Sequence, residues 1–446
     1  MRIVMAGLAG AALLAGAARA DTPPPPLAKI GHILVVFEEN RSFDNLFGHF
    51  PGANGLDNAG GAATQVGRDG APLASLPPVM IPWPPPPVAD RRFPTALPNR
   101  PFDAGAYVKP SEISGDLVHR FYQEQGQIDG GRMDKFAAIS DAGGLVMGYY
   151  NVKDSNLWRL AGEYALGDAM FHSAFGGSFL NHAFLVCGCA FRWPDAPAKF
   201  VAQRDAAGKI VKDGAVTPEG DAVNTLRSVY LHEPRETDPG QLVPPQTMPH
   251  IGDRLDAKGV SWAWYGGGYA DAAAGHPGAL FQYHHQPLAY FADLAPGTAA
   301  NKAHLKDYPD LLADIAAGTL PKVAFYKPYG SLNQHPGYAN ITDGDAHLGE
   351  LIEKLKASPD WHDLLVIVTY DENGGQWDHV PPPHRDAWGP GTRVPLLAIG
   401  PTVKRHFIDH TQYDFGSILR TIELTFGAEP VNARDGNATP MTNFLE

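Results

Sequence analysis

The chain is short of three things, and each shortage closes off a class of protein. Only two cysteines, Cys187 and Cys189, occur in 446 residues. That excludes a cysteine-based zinc centre, which needs more thiolates, and any disulfide-rich scaffold. Long apolar runs are missing too: the best stretch is the first twenty residues, too short and too rich in Gly and Ala for a stable membrane span. Cations are outnumbered, 35 Lys and Arg against 48 Asp and Glu, for a formal charge of −13. Nucleic-acid phosphates are gripped by clustered Lys and Arg, so no nucleic-acid binding is expected. Spare carboxylates suit a cation instead.

What is present begins with "MRIVMAGLAGAALLAGAARA". Arg2, an apolar stretch and the small-x-small triplet Ala18-Arg19-Ala20 predict a signal peptide over 1–20, cut before Asp21. The expected location is therefore periplasmic or secreted. Cleavage removes two arginines and no acids, moving the formal charge from −13 to −15. The cysteines stand in "CGC", where a bridge would close a very small ring; the sequence leaves them either bridged or free.

With 44% hydrophobic residues the chain can bury a large core. The runs "HILVVFE", "PKVAFYKP", "DLLVIVTY" and "VPLLAIGP" read as strands. "NLWRLAGEYALGDAMFHS" reads as helix then strand, and "GDAHLGELIEKLKAS" and "QYDFGSILRTIELTFG" as amphipathic helices. Strands alternating with helices predict an α/β fold, a mostly parallel central sheet with helices on both faces. Residues 21–446 read as one domain with irregular insertions at about 51–110 and 191–300 that form a cap. The second insertion contains "GVSWAWYGGGY", a strand running into a glycine turn. Met133 and Asp134 are expected to line the site's entrance.

In such sheets ligands bind beyond the carboxyl ends of the strands. Two strand ends carry the same chemistry: Phe37 leads to Glu38-Glu39-Asn40, and "LLVIVTY" leads to Asp371-Glu372-Asn373. Carboxylates and an amide oxygen are hard ligands, suited to one divalent metal ion. Either cluster alone could simply cap a helix or stay solvated; the pair favours an ion. A third element, "FHSAFGGSFLNH", turns through Gly176-Gly177 and opens a helix at Ser178. A helix N-terminus suits a phosphate, and a serine beside a cation can attack phosphorus. The bland reading of Ser178 is an N-cap. Asp378-His379 reads as a structural hydrogen-bonded pair in preference to a second metal shell.

"FEENRSFDNLFG", "GGSFLNH" and "TYDENGGQWDHVPPP" resemble the phosphoesterase family of bacterial acid phosphatases and phospholipases C, in the alkaline phosphatase superfamily. The resemblance runs from about Lys29 to Gly427. "HRFYQEQGQIDGGRMDKF", "FQYHHQPLAYF" and "NQHPGY" look most like the acid phosphatase A branch. It implies an alkaline phosphatase-like fold and a phosphoserine intermediate on Ser178. It also implies metal ligands at Glu39, Asn40, Ser178, Asp371 and Glu372, and catalytic histidines at His119, His284, His285 and His335. Asp371-Glu372 departs from the paired aspartates of that branch, and "DEN" is common among phospholipases C, whereas a serine at 178 favours the phosphatases.

The leading expectation is a secreted, metal-dependent acid phosphatase acting on phosphate monoesters. Its histidines would become cationic as pH falls and set an acid optimum. The rival within the same chemistry is a phospholipase C, for which "VMIPWPPPPV" could supply an apolar rim. Outside enzymes, the alternative is a cation- or phosphate-binding surface protein. An intact Ser178 argues against it, since a pure binder has no use for a nucleophile.

Overall fold

The computed structural model describes residues 23–236 and 238–446; the signal peptide expected over 1–20 lies outside the described residues. The apolar runs build one eight-stranded sheet from β1 (His32–Glu38), β2 (Ala165–Phe171), β3 (Trp262–Gly266), β4 (Leu305–Lys306), β5 (Val323–Lys327), β6 (Leu364–Tyr370), β7 (Arg393–Ile399) and β8 (Phe407–Asp409). Their order is β4-β3-β5-β1-β6-β7-β2-β8. Ile33 to Glu38 and all of β5, β6 and β7 are buried, which is why they read as unbroken apolar runs rather than alternating ones.

One strand runs against the rest. β7 is antiparallel to β6 and β2, while every other pairing in the sheet is parallel. A parallel neighbour needs a crossover, usually a helix. Residues 371–392 contain none, so the chain turns at the carboxyl edge and re-enters reversed.

The helices around the sheet include α1 (Phe43–Phe47), α2 (Phe121–Ile128), α3 (Asn156–Glu163), α4 (Ser178–Cys187), α5 (Tyr308–Ala317), α6 (Ile341–Lys356) and α7 (Phe415–Phe426). They pack in two sets, α6 against α3 and α5, and α4 against α7.

Trp262–Gly266, which the sequence places within the 191–300 insertion, is a strand of the main sheet paired with β5. The strand itself is legible in the sequence, but the irregular chain on either side hides its place in the main sheet. A satellite core including Leu76, Val79, Phe93, Val108 and Phe136 gathers residues from 59 to 147 around Trp377. Met133 belongs to that core and is fully buried, so it does not line an entrance. Its apolar thioether gains more from packing than from a wet rim. Cys187 and Cys189 are bridged at the end of α4.

Candidate active site

The register of the two central strands brings the acid clusters together. β1 and β6 pair with Glu38 opposite Tyr370, so Glu39-Asn40 and Asp371-Glu372 leave the carboxyl edge side by side. Asn40 takes the left-handed conformation, with φ of 59°. Asparagine is one of the few residues that tolerates it, and such backbone concentrates at functional sites. Gly374, at φ +63°, must lack a side chain because a Cβ would sit 2.5 Å from the Asn40 carbonyl oxygen.

Ser178 arrives from β2 through the Gly176-Gly177 elbow. Gly176 has φ +90°, and a Cβ there would lie 2.5 Å from the Phe121 amide nitrogen. Gly177 takes the N-cap position of α4 and Ser178 is its first residue, so the serine side chain is not spent on capping. Its Oγ lies 3.2 Å from Glu39 Oε2, 3.3 Å from Asn40 Oδ1 and 3.4 Å from Glu372 Oε1. One hydroxyl proton cannot satisfy three acceptors. This is a ring of hard oxygens around a nearly buried hydroxyl. Asp371 stands one step back. Its Oδ1 accepts from the amides of Asn40 and Glu372, and its Oδ2 lies 3.6 Å from Lys327 Nζ.

Four histidines surround the ring, at different ranges. The Asn40 amide nitrogen lies 3.0 Å from His335 Nε2 and 3.3 Å from His119 Nε2. The Nδ1–H groups of His335 and His119 donate to the carbonyls of Pro336 and Leu117. Both rings therefore carry their proton on Nδ1 and turn an Nε2 lone pair to the Asn40 NH2, which leaves Asn40 Oδ1 for Ser178. His285 Nε2 touches Glu39 Oε1 at 2.7 Å. His284 makes no contact with the ring; it packs on His285 and His182, centroids 4.6 and 6.0 Å away. Burial pushes His284 well below the usual imidazole range, pushes His285 down to about 4 and lowers His335. That runs opposite to the sequence expectation of cationic histidines: a dry pocket disfavours the charged ring.

Lys327 is the residue sequence reasoning missed. It ends β5 and is fully buried, its Nζ 2.7 Å from Glu39 Oε1 and 3.0 Å from the Glu38 carbonyl oxygen. A lysine closing a wholly buried strand was the available signal. Burial pushes Glu39 up, but Lys327 and His285 outweigh it and hold that carboxyl well below its ordinary value. Asp371 and Glu372 go the other way, raised well above by burial and then by their acidic neighbours. Asp371 Oδ2 is buried with no hydrogen-bond partner, its nearest cation being Lys327 at 3.6 Å. Three buried carboxyls against one lysine, with an unpartnered oxygen among them, fit a hard divalent cation.

Asp378 and His379 sit apart from the ring. Arg393 Nε donates to Asp378 Oδ1 at 2.8 Å, and His379 Nδ1 donates to Asp44 Oδ2 at 2.7 Å. Two more unforeseen residues brace the elbow: Glu124 on α2 accepts from the Gly176 amide and, at 2.9 Å, from His172 Nε2. A cleft of about 580 Å³ bordered by Trp83, Asp116, His119, Asp141 and Gly177 lies beside the ring, reaching the residue before Ser178.

An acidic, serine-bearing crevice at the carboxyl edge of a mostly parallel sheet marks an α/β protein built to handle a phosphate ester. The comparisons sharpen this. The model of the Phosphoesterase family matches residues 30–429, and the chain belongs to that family of hydrolases. A non-hemolytic phospholipase C of Burkholderia pseudomallei is 27% identical over 98% of this chain, which spans 62% of that protein's length. Phospholipase C B of Mycobacterium tuberculosis is 26% identical over 94% of this chain and 78% of its own. Neither is an acid phosphatase by name, so the narrower affinity to that branch is unsupported. Among solved structures, an alkaline phosphatase superfamily protein from Vibrio parahaemolyticus aligns over 74% of this chain and 72% of its own, at 11% identity and a TM-score of 0.35, a likeness that adds nothing to the assignment. Among the described residues no helix is long and apolar enough to cross a membrane.

Proposed function

We propose that the chain is a phosphodiesterase of the phospholipase C kind, cleaving the headgroup phosphodiester of a lipid at Ser178. The observation that carries this is the Asn40 side-chain amide nitrogen, 3.0 Å from His335 Nε2 and 3.3 Å from His119 Nε2, which occupies the inward-facing nitrogen of both rings. The buried cation of the site, Lys327, is already engaged by Glu39 and Asp371. A monoester brings two negative charges at neutral pH and a diester one, so a site this poor in free positive charge suits the diester. Similarity to named phospholipases C over 94–98% of the chain supports the same reading.

Glu39, Asn40, Asp371 and Glu372, with Ser178 Oγ, are the groups that would hold one divalent cation. When bound, it supplies charge neutralisation and makes the serine hydroxyl more acidic. Ser178 Oγ forms the new bond to phosphorus as the bond to the leaving alcohol oxygen breaks. The serine proton passes to Glu39 Oε2, the acceptor 3.2 Å from Oγ, and is returned to the leaving oxygen, while His119 and His335 orient the Asn40 amide; water then hydrolyses the phosphoserine. The Gly176-Gly177 elbow holds Oγ within the oxygen ring. The bridged Cys187–Cys189 pair fits an oxidising compartment, in line with export.

Side-by-side turnover of phosphatidylcholine and p-nitrophenyl phosphate at neutral pH tests the reading. Phosphatidylcholine is expected to be the better substrate. Hydrolysis of the monoester alone would hand the site to the second reading, a monoesterase, which the serine at 178 favours.

A further inference from the structure

We infer that the hairpin Met80–Ala89, together with Ile113, is a docking surface for a lipid–water interface, placed so that the cleft beside the Ser178 ring opens onto the lipid. Large hydrophobic side chains left exposed are few among the described residues: Trp83 (74%), Val88 (54%), Ile113 (48%) and Val211 (62%). Three of the four gather at one place. Trp83 and Val88 belong to the hairpin, in which Ile81 pairs with Val88. Arg92, just beyond it, donates to the Ile113 carbonyl, and Gly115 approaches the Met80 carbonyl oxygen.

That place is the rim of the cleft, since Trp83 borders it together with His119 and Gly177. Tryptophan is suited to the headgroup level, with an apolar body and a polar tip, and proline-rich chain on either side of it keeps the tip from folding back. Charge agrees. From Val88 to Arg120 the chain carries five cations (Arg91, Arg92, Arg100, Lys109, Arg120) and four carboxylates (Asp90, Asp103, Glu112, Asp116), against −13 for the whole chain. This part of an acidic protein is not repelled by lipid phosphates and gains from apolar insertion rather than from anionic lipid, so the occupant is a zwitterionic phospholipid surface.

The inference rests on the phosphodiesterase reading for its purpose, but binding is measured apart from hydrolysis. The full-length Ser178→Ala protein is sedimented with phosphatidylcholine vesicles, alone and carrying Val88→Asp with Ile113→Asp; Trp83 is left intact because it borders the cleft. Each exposed apolar side chain entering the interface is worth about tenfold in partitioning, so the double change should weaken binding at least that much. With Ser178 restored, the double variant should lose vesicle turnover alike. It should keep its kcat/KM on soluble p-nitrophenylphosphorylcholine and its urea midpoint, and Val211→Asp should change nothing. Absence of vesicle binding by the parent, undiminished binding by the double variant, or an equal loss from Val211→Asp would overturn the inference. Binding without cleavage of any diester would leave the docking surface standing and remove the phosphodiesterase reading.

Discussion

Lys327→Met probes the electrostatics of the site most directly. The ammonium is fully buried, 2.7 Å from Glu39 Oε1 and 3.6 Å from Asp371 Oδ2. With an effective dielectric of about 20, the Glu39 pair is worth roughly 6 kcal/mol before desolvation, and Asp371, whose carboxyl burial raises well above its ordinary value, adds less. Removing one partner of a buried pair leaves an uncompensated charge, and the net cost is about 3–5 kcal/mol. Spread over an unfolding entropy near 0.9 kcal/mol/K for a chain of this size, the expected drop in Tm is about 3–5 °C. The assay is thermal unfolding with chelator and again with excess divalent cation. The variant should fall by that amount in chelator and recover part of it with the ion, because an ion among the same carboxylates replaces the lost charge. Turnover should fall in both conditions. A variant as stable as the parent in chelator would refute the reasoning, since the three acids would then need no cation.

Ser178→Ala should fold normally and lose several orders of magnitude in turnover; a well-folded variant that keeps most of its activity would sink the nucleophile assignment. Strong chelation should abolish turnover, and a divalent cation should restore it; full activity from protein shown by elemental analysis to hold no metal would remove the ion. The third concerns Glu423 on α7, whose carboxyl is pushed up to about 9 by burial and then by Asp435. The folded protein keeps that proton up to about 9, whereas the unfolded chain loses it near the ordinary 4.5. The stabilisation is therefore complete below 4.5 and is lost as pH rises through 9, at up to about 1.4 kcal/mol per pH unit. Glu423→Gln should flatten urea stability between pH 5 and 8.5, and an unchanged slope would show that Glu423 is ionised when folded.

Both acid pairs could be found in the sequence because a buried strand announces its own end, and the chemistry follows immediately. The elbow at Ser178 was visible for a similar reason: two glycines before a helix have few structural excuses. What escaped depends on pairing and depth. An apolar run does not say which way its strand points, so the reversal of β7 had to come from the helix-free connection before it. Lys327 reads as a surface lysine until its strand is known to be central. His284 and His285 look equivalent in "YHHQ", yet the 3-10 turn Tyr283–His285 sends one to Glu39 and the other into packing. For His284, His285 and His335 the expectation of a cationic ring runs against burial, which lowers their basicity and cannot be read from residue identity.

The remaining question is what holds like charges together before any cation arrives. Arg393, fully buried at the start of β7, donates to Asp378 Oδ1 at 2.8 Å and to Asp44 Oδ1 at 3.2 Å. Asp44 follows Asn40 by four residues and Asp378 follows Glu372 by six, so one guanidinium ties both acid-bearing loops. Its neighbour Thr392 donates its amide to Glu124 Oε1 at 3.1 Å, and the other oxygen of Glu124 holds the Gly176 amide ahead of Ser178. The acid loops and the serine elbow are thus anchored to one short segment by charge-assisted hydrogen bonds outside the ring itself. Such bracing keeps oxygens converged that would otherwise repel, so a bound ion adds charge compensation rather than shape. With chelator the parent protein should therefore lose turnover while its fold stands, and only when Lys327 is also gone should the lack of an ion be felt strongly in stability.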